Sequence, residues 1–193
     1  MERLSTTMAP PADVGEHGEA IDSGEYRDTL SRFASGVTVI AGLDEAGAPA
    51  GLACQSFTSL SLDPPLVLVC VARTSTSWAR IAPTGRFGIS VLAEDQRALC
   101  RALGSRRPDK FAGLDWHTGR DRGSVLIDGA LAHLECTLER TVDGGDHEIV
   151  IGRVTALTTP RADGRPLLFF RSFFGTGRFG TDQETVDLFA QWL

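Results

Sequence analysis

With 193 residues, 42% of them apolar, and a formal net charge of -6, the chain has the size of one domain with a core of its own. The acidic balance, with a pI near 5.2, speaks against a surface for nucleic acid or anionic membrane. No apolar run approaches the ~18 residues that a membrane span requires.

Residues 1–23 have neither a basic start nor an apolar centre, so they read as a disordered tail without a signal peptide, and the domain is expected over residues 24–180. The periodicity predicts a short amphipathic helix over Glu25–Ser35, with Ser23 as N-cap and Gly36 as stop. Val37–Ala41 is β-branched and predicts a strand, and Asp44–Gly47 is the turn of a hairpin into a second strand, Ala50–Thr58. Asp63-Pro64-Pro65 interrupts the chain, because adjacent prolines donate nothing to a ladder. Leu66–Val71 is nearly all apolar, the pattern of a strand buried on both faces. A short helix over Trp78–Ala82, a strand over Arg86–Leu92 and a helix over Ala93–Leu103 follow, and Gly104–Gly129 reads as loop. Ala130–Val142 alternates, which places His133 and Glu135 on a solvated polar face, and Asp143–Asp146 turns the chain back into His147–Leu157. Leu167–Phe170 is a last core strand, and Gln183–Leu193, within a C-terminal segment 181–193, has the pattern of a terminal helix. Many short strands with few helical insertions predict a mainly β, closed antiparallel barrel rather than a doubly wound parallel sheet.

Several stretches carry chemistry. Gln55, Ser56, Thr58, Ser59 and Ser61 gather small neutral polar groups around Phe57, poor material for a core and suited to gripping an uncharged polar heterocycle. Arg73-Thr74-Ser75-Thr76-Ser77 precedes a helix, where hydroxyls and free N–H groups either hold phosphate or simply cap the helix. His147, just past Gly144-Gly145-Asp146, is either an exposed turn residue or a group at a barrel rim. Four aromatics surround Arg171 in Phe169–Gly175, as core plus one surface charge or as a stacking lid over a planar ligand. Cys54, Cys70, Cys100 and Cys136 are widely spaced, with no Cys-x-x-Cys, and read as reduced thiols of a cytoplasmic protein, the last three in the core. They share no ligand spacing with the histidines, so no metal is expected. No GxGxxG after a strand, Walker loop or nucleophile elbow occurs.

Read together, Arg32-Phe-Ala-Ser-Gly-Val-Thr-Val-Ile40, Gly51-Leu-Ala-Cys-Gln-Ser-Phe-Thr-Ser-Leu-Ser-Leu-Asp-Pro-Pro-Leu-Val67 and Gly145-Asp-His-Glu-Ile-Val-Ile-Gly152 resemble the short-chain flavin reductases. Gly85-Arg-Phe-Gly-Ile-Ser-Val-Leu-Ala-Glu-Asp-Gln96, Asp109-Lys-Phe-Ala-Gly113 and Gly129-Ala-Leu-Ala132 extend the resemblance over roughly Tyr26–Gly177. These proteins are the reductase components of two-component flavin monooxygenases. The resemblance implies an antiparallel split β-barrel with short helical insertions and a homodimer with flavin near the subunit interface. It implies FAD or FMN as cofactor and NADH (or NADPH) as hydride donor, with reduced flavin passed to a partner monooxygenase. Ser35, Gly36, Val37 and Thr38 would line the flavin with Ala53, Cys54, Gln55, Ser56, Phe57, Ser59, Val91 and Leu92. Ser75, Thr76 and Ser77 would hold phosphate with help from Lys110. His147 would be the catalytic residue, on the nicotinamide side with Arg171 and Phe173. Two departures stand out: Ser90 replaces a common Asn, and Ala53 and Cys54 stand where many members have Thr or Ser. A non-catalytic flavin- or haem-binding split barrel is the competing reading.

Overall fold

A computed structural model describes residues 21–105, 107 and 109–177 of the chain. The first helix, α1 (Ser23–Leu30), is shorter than the periodicity predicts and is capped by Asp22 rather than Ser23: the Asp22 carboxylate accepts from the amides of Gly24 and Glu25. The chain leaves helical geometry early because Ser35–Gly36, β1, pairs instead with Phe169 and Leu168 of β11 (Leu168–Phe170). Tertiary pairing overrides a helix that buries none of its own residues.

The described residues form a seven-stranded antiparallel sheet. Its strands are β2 (Thr38–Leu43), β3 (Pro49–Cys54), β4 (Thr58–Ser61), β5 (Leu66–Ala72), β6 (Arg86–Val91), β9 (Ala132–Gly144) and β10 (His147–Thr158). Their spatial order is β3-β2-β6-β9-β10-β5-β4, so the two edge strands, β3 and β4, are consecutive in sequence. Only Gln55–Phe57 separates them. Three residues reach about 10 Å at full extension, so the sheet has to curl until its edges meet. The strand expected over Ala50–Thr58 is therefore one segment that changes partners, from β2 on one side to β5 on the other.

Ser56 makes that change possible. The β4–β5 register pairs Thr58 with Leu68, and continuing it backwards sets Ser56 opposite Cys70. There the hydroxyl takes the place of a backbone unit, donating to the Cys70 carbonyl at 3.0 Å and accepting from the Cys70 amide at 2.8 Å. The result is a mainly β, antiparallel split barrel with short helices: α2 (Thr76–Ile81) and α3 (Arg97–Leu103) join α1 as the insertions.

One cluster, including Ile40, Val67, Val69, Val71, Phe87, Ile89 and Val150, fills the barrel, with Trp78 of α2 meeting Phe87 edge-on at 5.6 Å. A second cluster packs Val39, Leu92 and Leu103 against a hairpin of β7 (Trp116–Thr118) and β8 (Val125–Ile127). That hairpin lies inside the stretch that reads as loop from sequence. It approaches β6 so closely that a Cβ on Gly88 would run into the Val125 carbonyl. The small sheet β1-β11-β12, with β12 at Phe173–Gly175, completes the fold. The helical pattern at 183–193 lies outside the described residues.

Two burial expectations are corrected. β5 is not buried on both faces: Val67, Val69 and Val71 face the core while Leu66, Leu68 and Cys70 are half-buried. Cys70 is thus not a core thiol, whereas Cys54, Cys100 and Cys136 are buried, and all four are free. His133 and Glu135 are not solvated either, because the β7–β8 segment covers their face of β9; each is 5% exposed. His133 Nε2 lies 2.8 Å from the Ile127 carbonyl, Glu135 accepts from the Asp121 amide, and His117, paired with Asp128, meets the His133 ring edge-on at 5.6 Å.

Replacing Ser56 with Ala strands both backbone groups of Cys70, and the expected loss of stability is about 1–2 kcal/mol, read as a lower urea midpoint at unchanged slope. Burial also holds His133 below its ordinary value of 6.5. Below 6.5 the unfolded chain therefore takes up a proton that the folded chain refuses, and stability falls as pH drops from 6.5 towards the lowered value. His133→Gln should flatten that slope in unfolding curves recorded on either side of 6.5.

Candidate functional site

Where β3 and β5 approach without pairing, the seam opens into a cleft of about 950 Å³. Its floor comes from Leu52–Ser56 and Cys70–Ala72, one wall from Thr74–Ser77 before and within α2, and another from the end of α3 with Lys110. Ser35 and His147 border it from β1 and from the start of β10. Ten of the residues singled out from sequence meet here: Ser35, Ala53, Cys54, Gln55, Ser56, Ser75, Thr76, Ser77, Lys110 and His147.

Others do not line the cleft. Val37, Thr38 and Leu92 are buried in the body of the fold, and the Thr38 hydroxyl donates to the Cys54 carbonyl, supporting the floor from behind. Phe57 packs against the barrel core, and Gly36, Ser59 and Val91 are absent from the lining. Ser90 is wholly buried, its hydroxyl accepting from the Ile127 amide. Arg171 and Phe173 face a different cavity of about 450 Å³, together with Arg27, Asp28 and Ser31 of the α1 region. Within this one chain they do not join His147. Sequence reasoning missed Leu52, Cys70–Ala72, Leu103–Ser105 and Arg107; β5 read as core, and nothing local marks the end of α3 as a wall.

The floor is an open strand edge. Lys110 Nζ reaches the Gly51 carbonyl at 3.4 Å, so Gly51 turns its backbone outward from β2. Backbone groups of a strand alternate in direction, hence Ala53, and Gln55 just beyond the strand, present theirs to the cleft as well. The Gln55 side chain accepts from Ser35 Oγ at 3.2 Å, which leaves its NH2 group to donate. Cys54 Sγ sits 3.1 Å from Ser56 Oγ, and burial pushes its thiol up, so it stays protonated and offers no nucleophile.

The charges are few and placed. Lys110 Nζ donates to Ser77 Oγ and to the Leu103 carbonyl, and among the described residues no carboxylate pairs with it. Burial lowers its pKa, as expected of a cation with only neutral neighbours. In the Arg73–Ser77 stretch the roles divide. Ser75 caps α2, its hydroxyl accepting from the Trp78 amide, while Thr74, Thr76 and Ser77 line the cleft. Arg73 is a clamp: it donates to the Gly145 carbonyl at 2.8 Å and pairs with Asp143 and Glu148, tying the β9–β10 turn beside α2. That clamp sets His147 at the rim, where Nδ1 lies 2.7 Å from Asp146 Oδ1 and holds that carboxyl below its ordinary range.

This architecture matches known proteins. Residues 30–178 match the model of the flavin reductase like domain. The reductase subunit HsaB of a flavin-dependent monooxygenase from Rhodococcus jostii is 52% identical over 153 residues, 79% of this chain and 77% of that protein. The chain belongs to the flavin reductase-like family. Among solved members, nitrilotriacetate monooxygenase component B from Mycobacterium thermoresistibile superposes with a TM-score of 0.75 at 45% identity, covering 82% of this chain and 92% of that one. An NADH:FAD oxidoreductase from Streptomyces globisporus, solved with NAD and FAD fragments, gives 0.75 at 36% identity over 86% and 99%. Among the described residues of this flavin reductase-like chain, no helix is long and apolar enough to cross a membrane.

Proposed function

We propose that this chain is an NAD(P)H-dependent flavin reductase that takes FMN or FAD into the seam cleft and supplies reduced flavin to a partner monooxygenase. The observation that carries the reading is the pairing, in one cleft, of an open strand edge with a lysine that has no counter-ion among the described residues. The edge suits the carbonyls and ring nitrogens of an uncharged heterocycle, and the lysine suits a phosphate at the other end. The names of the HsaB relative and of the NADH:FAD oxidoreductase support the same chemistry.

A bound flavin supplies the redox step, accepting a hydride from dihydronicotinamide, so the protein needs neither metal nor nucleophile for it. The chain's part is to bind and orient. Amides of Ala53 and Gln55 would meet the polar edge of the ring, and Lys110 with Ser77 and Thr76 would take the phosphate. His147 would serve the nicotinamide. Its Nδ1–H is directed at Asp146, which in the neutral ring leaves Nε2 as an acceptor for the carboxamide NH2. The walls hold no acid that would repel a reduced, negatively charged ring. Neutral hydrogen bonds also suit a flavin that has to leave again.

A homodimer is part of this proposal. Tyr26, Leu30 and Phe33 near α1, with Phe170 and Phe173 of the β11–β12 hairpin, expose more large apolar surface than a solvated face needs. Arg171 and Phe173 sit in that same region, so a partner copy is the route by which they would meet a nicotinamide. The four free thiols suit a reducing cytoplasm.

The direct test is flavin-dependent loss of NADH absorbance; a purified chain that consumes no NADH with either flavin present is not a reductase. Lys110→Met should weaken FMN binding about tenfold and leave riboflavin, which has no phosphate, unchanged. FMN affinity should also fall as pH rises, beginning below the ordinary lysine value of 10.5, because only the ammonium form attracts the phosphate. His147→Ala should raise the KM for NADH by about three- to tenfold at nearly constant flavin affinity; a collapse of flavin binding would remove His147 from the nicotinamide side.

A further inference from the structure

Behind Lys110 lies a second cavity, of about 400 Å³, under the turn that leads into β3. It adjoins the cleft along Thr76, Ser77, Arg107 and Lys110, the residues that border both. The ammonium group therefore stands at the join between two spaces. A flavin phosphate held there would have the ring on one side and this cavity on the other.

The second cavity has its own chemistry. Ala48, Pro49, Ala50 and Phe111 give it apolar walls. Asp109 contributes a carboxylate with one oxygen, Oδ1, engaged by the Ala112 amide, so Oδ2 remains to accept from a ligand. Arg80 also borders the space, but its guanidinium is neutralised by Asp44, to which it donates through Nε and Nη2. Beyond the Lys110 and Arg107 cations that it shares with the cleft, the cavity thus offers a carboxylate acceptor and an apolar wall. That set of groups matches phosphate, vicinal diol and flat base, since a carboxylate accepts from both hydroxyls of a ribose and an apolar wall shields a purine ring. A phosphate monoester alone would end at Lys110 and leave the cavity unfilled.

We propose that this cavity takes the adenosine half of FAD and makes FAD, rather than FMN, the preferred flavin of this chain. The inference rests on the flavin-reductase reading above and adds the specificity to it. The alternative occupant, the adenosine of the nicotinamide cofactor, fits less well, because the cavity adjoins the cleft on its Lys110 side and His147 is not among its walls.

Equilibrium titration of the protein with each flavin, without any nicotinamide, tests the proposal. FAD should bind at least about tenfold tighter than FMN. Ala48→Trp, which fills the cavity, should erase most of that difference while holding the FMN dissociation constant within about twofold, and intact FMN binding certifies that the variant has folded. If the tryptophan disrupts the turn, Asp109→Asn is the substitute, expected to weaken FAD alone. Equal affinities for the two flavins in the unaltered protein would overturn the specificity while leaving the reductase reading intact. So would a folded Ala48→Trp variant that binds FAD as before, or that changes only the KM for NADH. Binding of neither flavin would instead defeat the reductase reading itself.

Discussion

A strand that runs along one edge of a sheet and then along the other has to change partners, and here it does so within Gln55–Phe57. The hydroxyl of Ser56 carries the ladder across that gap by answering both backbone groups of Cys70. Everything functional in the fold follows from this closure. It brings β3 beside β5 without pairing them, so the barrel stays split and the outward groups of β3 remain open. Natural sheets usually cover or blunt such an edge, because unpaired backbone invites association with other chains. In this chain the open edge floors a cleft, so the same unpaired groups face the space in which the flavin is proposed to sit.

The electrostatics of the cleft depend on what surrounds that edge. Apart from Lys110, Arg107 and the His147 imidazole, its hydrogen-bonding groups are amides, hydroxyls, thiols and a carboxamide, and it holds no carboxylate. Lys110 is held by three neutral oxygens, a costly arrangement for a cation unless a ligand completes it. Arg73, at the head of the hydroxyl stretch, is bound up with Asp143, Glu148 and the Gly145 carbonyl. Its charge supports the turn that delivers His147. A cation paired with carboxylates and a cation held only by neutral oxygens look alike in sequence; only their partners separate them.

Much of the site was readable because it is local. Gln55 and Ser56 at the head of a small polar run, the hydroxyl cluster at Thr74–Ser77 and the histidine after a glycine turn all line the cleft, while the rest of that run, Phe57–Ser61, does not. The turns were readable for the same reason, as at Gly145, whose positive φ of 80° suits a residue without a side chain. Alternation correctly separated the two faces of β9. It could not say that the polar face, with His133 and Glu135, would be roofed by β7 and β8, since that cover comes from a segment with weak strand signal of its own.

By itself, then, the amino-acid order determined most strands of the large sheet, their turns, the antiparallel class and the polar residue types that line the cleft, all of which arise from neighbours in the chain. Tertiary structure decided which edge stayed open, that α1 yields to β1, that the end of α3 walls the cleft, and that Arg171 and Phe173 stand apart from His147 within one chain. The reason is physical. Propensity and periodicity act over a few residues, whereas an edge left unpaired, a charge left without a partner, or a face left uncovered is settled by segments distant in sequence that the sheet's closure brings together.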